Sequence, residues 1–285
     1  MSKKVAIVTD STAYIPVDIR KKLQIEMVPL NVIFGEESYQ EETDITTDEF
    51  YQKMKTTEEL PKTSQPAIGQ FVTLFEQLAE KGFEQVVTIH LSSQLSGTFQ
   101  SAVSAGEMVE GIDVFGFDTE ISCAPQAYYV LQAARSAEAG ADASEILEKL
   151  AFMKKTAKAY FMVDDLKHLH RGGRLSGAQL MVGNLLKIKP ILYFEEGKII
   201  PFEKVRTEKK ALARLLDLLD QDVSQGGNYY ATVIHANRLN GARQLVEMIN
   251  ERFPEVEVDI SFFGPVVGTH LGAGSLGLSW QKQYT

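Results

Sequence analysis

Short apolar runs alternate with helical stripes along the first half of the chain. The runs are typical of buried strands and lie at residues 5–8, 86–90 and 112–117. The stripes predict helices near residues 71–78, 99–109, 127–139 and 146–157. Asp142 and Glu145 have the spacing of a capping pair at the start of the last helix. Because strand–helix units repeat, we predict a parallel α/β sheet.

The second half of the chain has a mixed pattern. Residues 190–194 and 198–204 are β-type runs on either side of Glu195-Glu196-Gly197, which predicts a hairpin. Residues 168–177 are predicted to form a polar, glycine-rich loop. Further strands are predicted at residues 160–163, 231–235 and 256–262, and further helices along residues 212–219 and 242–249.

These patterns predict an α/β protein with two domains. We expect an N-terminal parallel-sheet α/β domain over residues 1–158 and a smaller C-terminal α+β domain over residues 159–285. Residues 59–66 are predicted to be a loop that extends towards the second domain.

A cluster of hydroxyl side chains follows the predicted strand 86–90. Ser92, Ser93, Ser96 and Thr98, together with Gly97, precede a predicted helix. A helix start has unpaired N–H groups and partial positive charge, so this corner is suited to a carboxylate or phosphate. For Ser96 or Thr98 alone, helix capping is the simpler interpretation. The density of polar groups favours a site for the segment as a whole.

Two other polar segments also follow predicted strands. They are Asp10-Ser11-Thr12 and Asp118-Thr119. In parallel sheets, ligands bind off the carboxyl ends of the strands. We therefore expect these segments to converge with the hydroxyl cluster.

Composition and charge narrow the classes of function. The chain has 285 residues, of which 44% are hydrophobic, so it can bury a sizeable core. A net charge of −9 argues against a general nucleic-acid surface or anionic-membrane surface. The single cysteine, Cys123, excludes an internal disulfide and is expected to be buried and inert. The first apolar run is too short for a signal peptide and no stretch is long enough to span a membrane, so we expect a cytoplasmic protein.

His270 lies in an unusually glycine-rich stretch. Residues 264–277 contain five of the chain's 21 glycines, which are expected to allow close backbone approach or unusual turns. The G-x-G-x-x-G within this stretch lacks the helix and strand that should follow a dinucleotide fingerprint. We predict that His270 faces a carboxylate.

Three arginines are candidate anion ligands. Arg171, Arg174 and Arg206 are predicted to lie on loops or at strand ends, and guanidinium groups suit phosphate or carboxylate. Pairing of the loop arginines with Asp164 or Asp165 is the alternative interpretation. His168 and His170 lack the partners of a metal site, so we predict no metal. Candidate walls for an apolar ligand are the stretches 180–182, 185–186 and 262–263.

Six motifs in this order resemble the DegV family, which includes the fatty-acid-binding subunits of bacterial fatty acid kinase. They are Val8-Thr9-Asp10-Ser11-Thr12-Ala13, Thr63-Ser64-Gln65-Pro66, the segment 91–102, Gly172-Gly173-Arg174, Lys204-Val205-Arg206-Thr207 and Gly268-Thr269-His270-Leu271-Gly272. The resemblance covers nearly the whole chain. It implies two α/β domains with a long-chain fatty acid buried between them.

The resemblance also implies roles for particular residues. Thr63, Ser96 and His270 match the carboxylate-binding set. Their implied neighbours are Ser64, Gly97 and Thr98. Arg174 and Arg206 match positions implicated in partnership with a separate kinase subunit that brings ATP. No cofactor and no catalytic residue of this chain's own is implied.

One segment departs from the family pattern. The family often has a serine- and glycine-rich turn where this chain has Ile121-Ser122-Cys123-Ala124-Pro125, which implies an altered cavity there. The alternative function is a stand-alone hydrolase or transferase with Ser96 as nucleophile and His270 as base. Ser96 lacks the nucleophile-elbow motif, and the missing phosphate loop weakens a third possibility, a nucleotide-binding domain.

Overall fold

The computed structural model describes residues 4–57, 59–176 and 188–283. The strands in these ranges are β1 Val5–Asp10, β2 Ile25–Val28, β3 Asn31–Phe34, β4 Glu37–Gln40, β5 Lys62–Ser64, β6 Gln85–His90, β7 Asp113–Asp118, β8 Lys158–Met162, β9 Lys189–Glu195, β10 Lys198–Val205, β11 Tyr229–His235, β12 Glu257–Phe262 and β13 Leu276–Lys282. The helices are α1 Val17–Lys22, α2 Thr47–Thr56, α3 Ile68–Glu80, α4 Thr98–Gly106, α5 Ala124–Glu138, α6 Ala143–Lys154, α7 Lys167–Arg171, α8 Glu208–Val223, α9 Leu239–Arg252 and α10 Pro265–Leu271.

The N-terminal sheet is parallel, as the sequence predicts. Its strand order is β2-β1-β6-β7, and every pairing in it is parallel. Helices α3 and α4 cover one face and helices α5 and α6 cover the other, so β6 is buried at all its positions. The predicted capping pair is confirmed, because the Asp142 side chain accepts from Glu145 N at 3.0 Å.

The C-terminal sheet has six strands in the order β10-β9-β8-β13-β11-β12. It is mixed, since β11 pairs with β12 in parallel and the other neighbours are antiparallel. The predicted hairpin is confirmed as β9–β10. Glu196 and Gly197 have φ values of 49° and 78°, which suits a two-residue turn. Helices α8 and α9 pack against this sheet around Leu215, Leu245 and Trp280.

A third, three-stranded sheet was not predicted. Its order is β4-β3-β5, and all of its pairings are antiparallel. The prediction of a loop at residues 59–66 is wrong at β5, where Thr63 pairs with Val32 and Ser64 with Asn31. Strands β3 and β5 contact helix α10, so this sheet packs against the helix that carries His270.

Helices also occupy parts of the predicted glycine-rich loop and of the glycine-rich stretch around His270. Helix α7 replaces the first part of the loop predicted at residues 168–177, and α10 lies within residues 264–277. A Cβ on Gly264 would lie 2.3 Å from a ring carbon of Tyr14, and one on Gly268 would lie 2.7 Å from the Tyr51 hydroxyl. These glycines therefore let α10 pack closely on the N-terminal half, which confirms the expected close approach. None of the helices in the described ranges is long and apolar enough to cross a bilayer.

Candidate functional site

The polar segments after the parallel strands converge, as predicted. Asp10 Oδ2 accepts from Leu91 N at 3.0 Å, and Asp118 Oδ1 accepts from Ser93 N at 3.2 Å. The Thr119 hydroxyl donates to the His90 carbonyl at 2.8 Å. Together, these bonds fix the start of the hydroxyl-rich loop at the carboxyl edge of the sheet.

Asp10 belongs to a buried row of hydrogen-bonded side chains that the sequence did not reveal. Its Oδ2 lies 2.9 Å from His90 Nδ1, and Thr88 Oγ1 contacts the other ring nitrogen. Burial alone raises the pKa of Asp10, but hydrogen bonds from His90, Thr12 and Leu91 N outweigh it and hold the pKa below its ordinary value. The side chains of Asp10, His90 and Thr88 are all fully buried. These hydrogen-bonded carboxylate, imidazole and hydroxyl groups therefore support the loop from the protein interior. They are not accessible to a ligand.

Gly97 brings two of the predicted motifs into contact. A Cβ at this position would lie 2.1 Å from Gln65 Oε1, so glycine allows the Gln65 side chain to take the course that it has here. Gln65 Nε2 then donates to Ser101 Oγ at 2.7 Å. The close approach places the segment after β5 against the start of α4, although the two lie far apart in the sequence.

Thr63, Ser96 and His270 line the same cavity, together with Ser64, Gly97 and Arg174. Thr63 Oγ1 lies 2.9 Å from His270 Nε2, and Ser96 Oγ lies 2.8 Å from Thr98 Oγ1. Thr98 is buried and contacts the cavity residue Ser96. Ser64 accepts from Asn31 Nδ2 at 3.2 Å. The candidate carboxylate residues are thus gathered at one place.

The expected helix cap at Ser96 or Thr98 is wrong. Gly97 occupies the capping position of α4, and Thr98 is the first helical residue. The Ser96 hydroxyl reaches Thr98 N only at 3.4 Å, which is a weak hydrogen bond. Ser96 is therefore not committed to closing the helix, and its hydroxyl lines the cavity.

His270 is a neutral imidazole in this setting. Burial lowers its pKa to about 4, with the charge of Arg174 and then His168 contributing. A Cβ on Gly172 would lie 2.3 Å from His270 Nδ1, which is buried and has no hydrogen-bond partner among the described residues. Nε2 is therefore the ring nitrogen that can share a proton with a hydroxyl or with a carboxylate.

The three predicted cations have different surroundings. Arg174 lines the cavity, and its Nε donates to the Leu95 carbonyl at 3.1 Å. Its side chain also contacts the Gly172 carbonyl. Arg171 and Arg206 are exposed and, within the described ranges, do not line the cavity. Among the described residues that line the cavity, Arg174 is the one arginine or lysine, so it adds positive charge to the wall.

In the part of the chain that the structure describes, Asp164 and Asp165 do not form the alternative ion pairs with the loop arginines. Asp164 contacts Lys189, and Asp165 Oδ2 lies 3.2 Å from Lys167 Nζ. Both carboxylates therefore have lysine partners. Arg174 uses its nitrogens to hold backbone carbonyls near the cavity.

Most of the remaining cavity wall is apolar, and it is built by both halves of the chain. It has about 1100 Å³ of space, including its open mouth. Leu30 and Leu91 come from the N-terminal half, and Phe161, Ile234 and Phe263 come from the C-terminal half. The prediction that Phe263 lines a cavity is confirmed. The other candidate walls, residues 180–182 and 185–186, lie outside the described residues.

The turn that departs from the family pattern also reaches the cavity. Ser122, Cys123 and Pro125 line it, and Cys123 adopts a φ of 64° that L-residues rarely adopt. Cys123 is buried, and burial raises the pKa of its thiol well above the ordinary value. This supports the expectation of an inert thiol.

The hydrolase alternative requires Ser96 and His270 to pair as nucleophile and base. Ser96 Oγ pairs instead with Thr98, and His270 Nε2 pairs with Thr63. Within the described residues there is also no group of three side chains that could hold a metal ion. The geometry is therefore that of a polar binding cluster beside an apolar cavity.

Glu41 was missed by sequence reasoning. Its carboxyl accepts from Val266 N at 2.7 Å and from the Tyr14 hydroxyl at 3.0 Å, and it also accepts from the Ser11 hydroxyl. Burial raises the pKa of Glu41 to about 8. It thereby joins the N-terminal half to the first turn of the helix that carries His270. No sequence signal distinguishes it from the neighbouring Glu42, which pairs with Arg20.

The comparisons with known proteins match this architecture. The family model described as "Uncharacterised protein, DegV family" matches residues 4–283. A DegV domain-containing protein of Halalkalibacterium halodurans is 58% identical over 277 residues, covering 97% of this chain and 98% of the relative. The chain therefore belongs to the DegV family.

Solved structures of relatives share the fold. The crystal structure of DegV from Bacillus subtilis, described as a fatty acid binding protein, superposes with a TM-score of 0.93 at 52% identity, covering 99% of this chain and 100% of that chain. A fatty acid binding DegV family protein from Streptococcus agalactiae superposes with a TM-score of 0.92 at 34% identity, with the same coverage. The predicted two-part α/β fold is thus confirmed.

Proposed function

We propose that this protein binds a long-chain fatty acid in the cavity between its two α/β parts. Thr63, Ser96 and His270 hold the carboxylate, and the protein presents that group to a separate ATP-dependent kinase subunit, which forms an acyl phosphate. The observation that carries this proposal is the polar cluster at the wall of a mainly apolar cavity. The fatty acid binding of the Bacillus and Streptococcus relatives supports it.

The physical chemistry of the cavity suits this ligand. Each CH₂ group moved from water to an apolar wall contributes roughly 0.8 kcal/mol, so a long tail needs deep burial. A buried carboxylate is costly unless it is hydrogen-bonded. The hydroxyls of Thr63 and Ser96 and the neutral His270 ring can supply donors without adding a second charge.

The kinase step needs no catalytic group or cofactor from this chain. A carboxylate oxygen attacks the γ-phosphorus of ATP, the bond to the bridging oxygen breaks, and ADP leaves. This chain has to hold the carboxylate in place and offset the negative charge that meets there. Arg174 at the cavity wall can do this, with the exposed Arg171 and Arg206 as candidate contacts for the kinase subunit. The lone, buried cysteine suits the reducing cytosol in which we propose that the protein acts.

The purified protein is expected to carry long-chain fatty acid. Mass spectrometry of an extract from the denatured protein tests this directly. Delipidated protein should gain thermal stability when a free fatty acid is added, by about 2.7 kcal/mol at a ligand concentration of one hundred times Kd. The methyl ester of the same acid is the control and should stabilise less, because it lacks the carboxylate. An extract without acyl chains, together with no stabilisation by any acid, would disprove the binding function.

A Ser96→Ala variant is expected to bind fatty acid more weakly, by about 1–3 kcal/mol, because one carboxylate oxygen loses a partner. Calorimetric titration of delipidated protein measures the change. Ser93→Ala is the matched control, since Ser93 lies on the same loop but is exposed and, among the described residues, does not line the cavity. Equal affinity of the Ser96 variant and wild type would remove Ser96 from the site.

A further inference from the structure

A second cavity adjoins the first. It has about 710 Å³ of space, including its open mouth, and its other walls include Ile121, the turn residue Gly197 and several charged residues, among them Glu120 and Lys154. Ala159, Tyr160 and Phe194 line both cavities. These three residues therefore form the partition between the acyl cavity and a space that is otherwise separate from it.

The strand register places this partition away from the carboxylate cluster. The Ser275 hydroxyl donates to the Leu271 carbonyl at 3.1 Å, which ties the start of β13 to the end of the His270 helix. Leu276 then pairs with Met162, and β8 runs back from there to Ala159. Three residues along a strand span roughly 10 Å. A fatty acid whose carboxylate lies at His270 therefore reaches the partition with the tail of its acyl chain.

Among the three partition residues, Phe194 has the largest side chain on the face of the sheet that is directed towards the acyl cavity. Tyr193 pairs with Tyr160, and the two rings stack against each other. Phe194 follows on the opposite side of the strand, and its ring lies 5.9 Å from that of Phe161, which also lines the acyl cavity. The ring packs against both the core around the acyl cavity and the core beneath α5 and α6.

A hydrogen bond between the two halves of the chain fixes the position of this strand. The Ser92 hydroxyl donates to the Gly197 carbonyl at 2.7 Å, and this contact is buried. Gly197 forms the turn of the β9–β10 hairpin, three residues after Phe194. The hairpin, and with it the Phe194 ring, is thereby held against the loop that carries Ser96.

We infer that Phe194 closes the tail end of the acyl cavity and sets the longest fatty acid that the protein accepts. This inference rests on the proposed function, because it assumes an acyl chain in the first cavity. The second cavity is then the space into which a longer chain would extend once the ring is removed.

The test measures Kd for saturated fatty acids of increasing length with delipidated wild type and Phe194→Ala. In wild type, Kd should fall roughly fourfold for each added CH₂ until the chain reaches the ring, and then stop falling. In Phe194→Ala, the fall should continue for at least two further carbons, while the affinities for shorter acids stay within a few-fold of wild type. Phe194→Trp should move the limit towards shorter acids.

Tyr193→Ala is the matched control. Tyr193 is the neighbouring aromatic residue and lines the second cavity but not the acyl cavity, so its removal should leave the length limit unchanged. Phe194→Leu, a milder change, preserves the test if Phe194→Ala does not fold. Identical length profiles for wild type, Phe194→Leu and Phe194→Trp would overturn the inference while leaving fatty acid binding intact. Failure of wild type to bind any acid would instead refute the proposed function itself.

Discussion

An Arg174→Ala variant is expected to carry nearly as much fatty acid as wild type, while acyl-phosphate formation with an added kinase subunit falls by about two orders of magnitude or more. Arg174 lines the cavity, and its charge acts on the neighbouring His270 ring. In the proposed complex, the ground-state carboxylate would have the hydroxyls and the imidazole as partners of its own. The guanidinium is needed chiefly when the phosphoryl group adds negative charge at the carboxylate.

The experiment measures bound acid by mass spectrometry and turnover with the same preparation of kinase subunit and ATP. Arg252→Ala is the control, because Arg252 pairs with Asp217 and Asp220 on the C-terminal helices. Arg174→Lys should recover part of the rate, since it keeps the charge but loses the planar pair of donors. Equal losses of bound acid and turnover would assign Arg174 to the ligand pocket or to folding. Unchanged turnover would show that it has no part in the transfer.

The parallel sheet was predictable because its signal is local. Strand β6 is buried on both faces, and its middle residues, Val86-Val87-Thr88-Ile89, form a β-branched and mainly apolar run in the sequence. The helices around it have one apolar stripe each, as in α3. For these elements, the pattern within ten or so residues decides the structure.

The three-stranded sheet was missed because its signal is not local. β4 has the sequence Glu37-Ser38-Tyr39-Gln40, and β5 has three residues, so neither has a run of apolar positions. The cluster that buries Val32, Phe34 and Phe50 also contains Val266 and Leu271 from α10. Tertiary packing by residues more than two hundred positions away therefore decides the local structure.

The candidate site divides in the same way. The hydroxyls around Ser96 follow a strand and precede a helix, so their chemistry could be predicted from one segment. The contact of Thr63 with His270 joins residues 207 positions apart. No periodicity brings these two together, and only the resemblance to the family indicated that they share a ligand.

Among the residues discussed near the site, replacement of Glu41 is expected to have the largest effect on the free energy of unfolding. A Glu41→Ala variant should lose about 3 kcal/mol or more of unfolding free energy, because three buried donors lose their acceptor. The first turn of α10 would lose its link to Ser11 and Tyr14. We expect fatty acid affinity to fall as well, since α10 carries His270. Urea unfolding and calorimetric titration measure the two effects, and an unchanged unfolding free energy would contradict the prediction.

Glu41→Gln separates the hydrogen bonds from the charge. The amide keeps an oxygen for Val266 N and a nitrogen that can face the Ser11 hydroxyl. With a folded-state pKa of about 8 against an ordinary value near 4.5, the folded protein holds a proton that the unfolded chain has lost. Wild-type stability from this group therefore falls as pH rises from about 4.5 to 8, by up to about 1.4 kcal/mol for each pH unit. Glu41→Gln lacks this loss.

The decisive quantity is the difference in unfolding free energy between Glu41→Gln and wild type, measured from pH 5 to pH 8. Groups that titrate alike in both proteins cancel in this difference, so the variant should gain on wild type steadily as pH rises. A constant difference would mean that the folded Glu41 carboxyl does not keep its proton in this range. In that case, a gain by wild type as pH rises from about 3 to 5 would mean that the helix N–H and the two hydroxyls hold the pKa of Glu41 below its ordinary value despite its burial, and that α10 is anchored by a charge and not by a neutral acid.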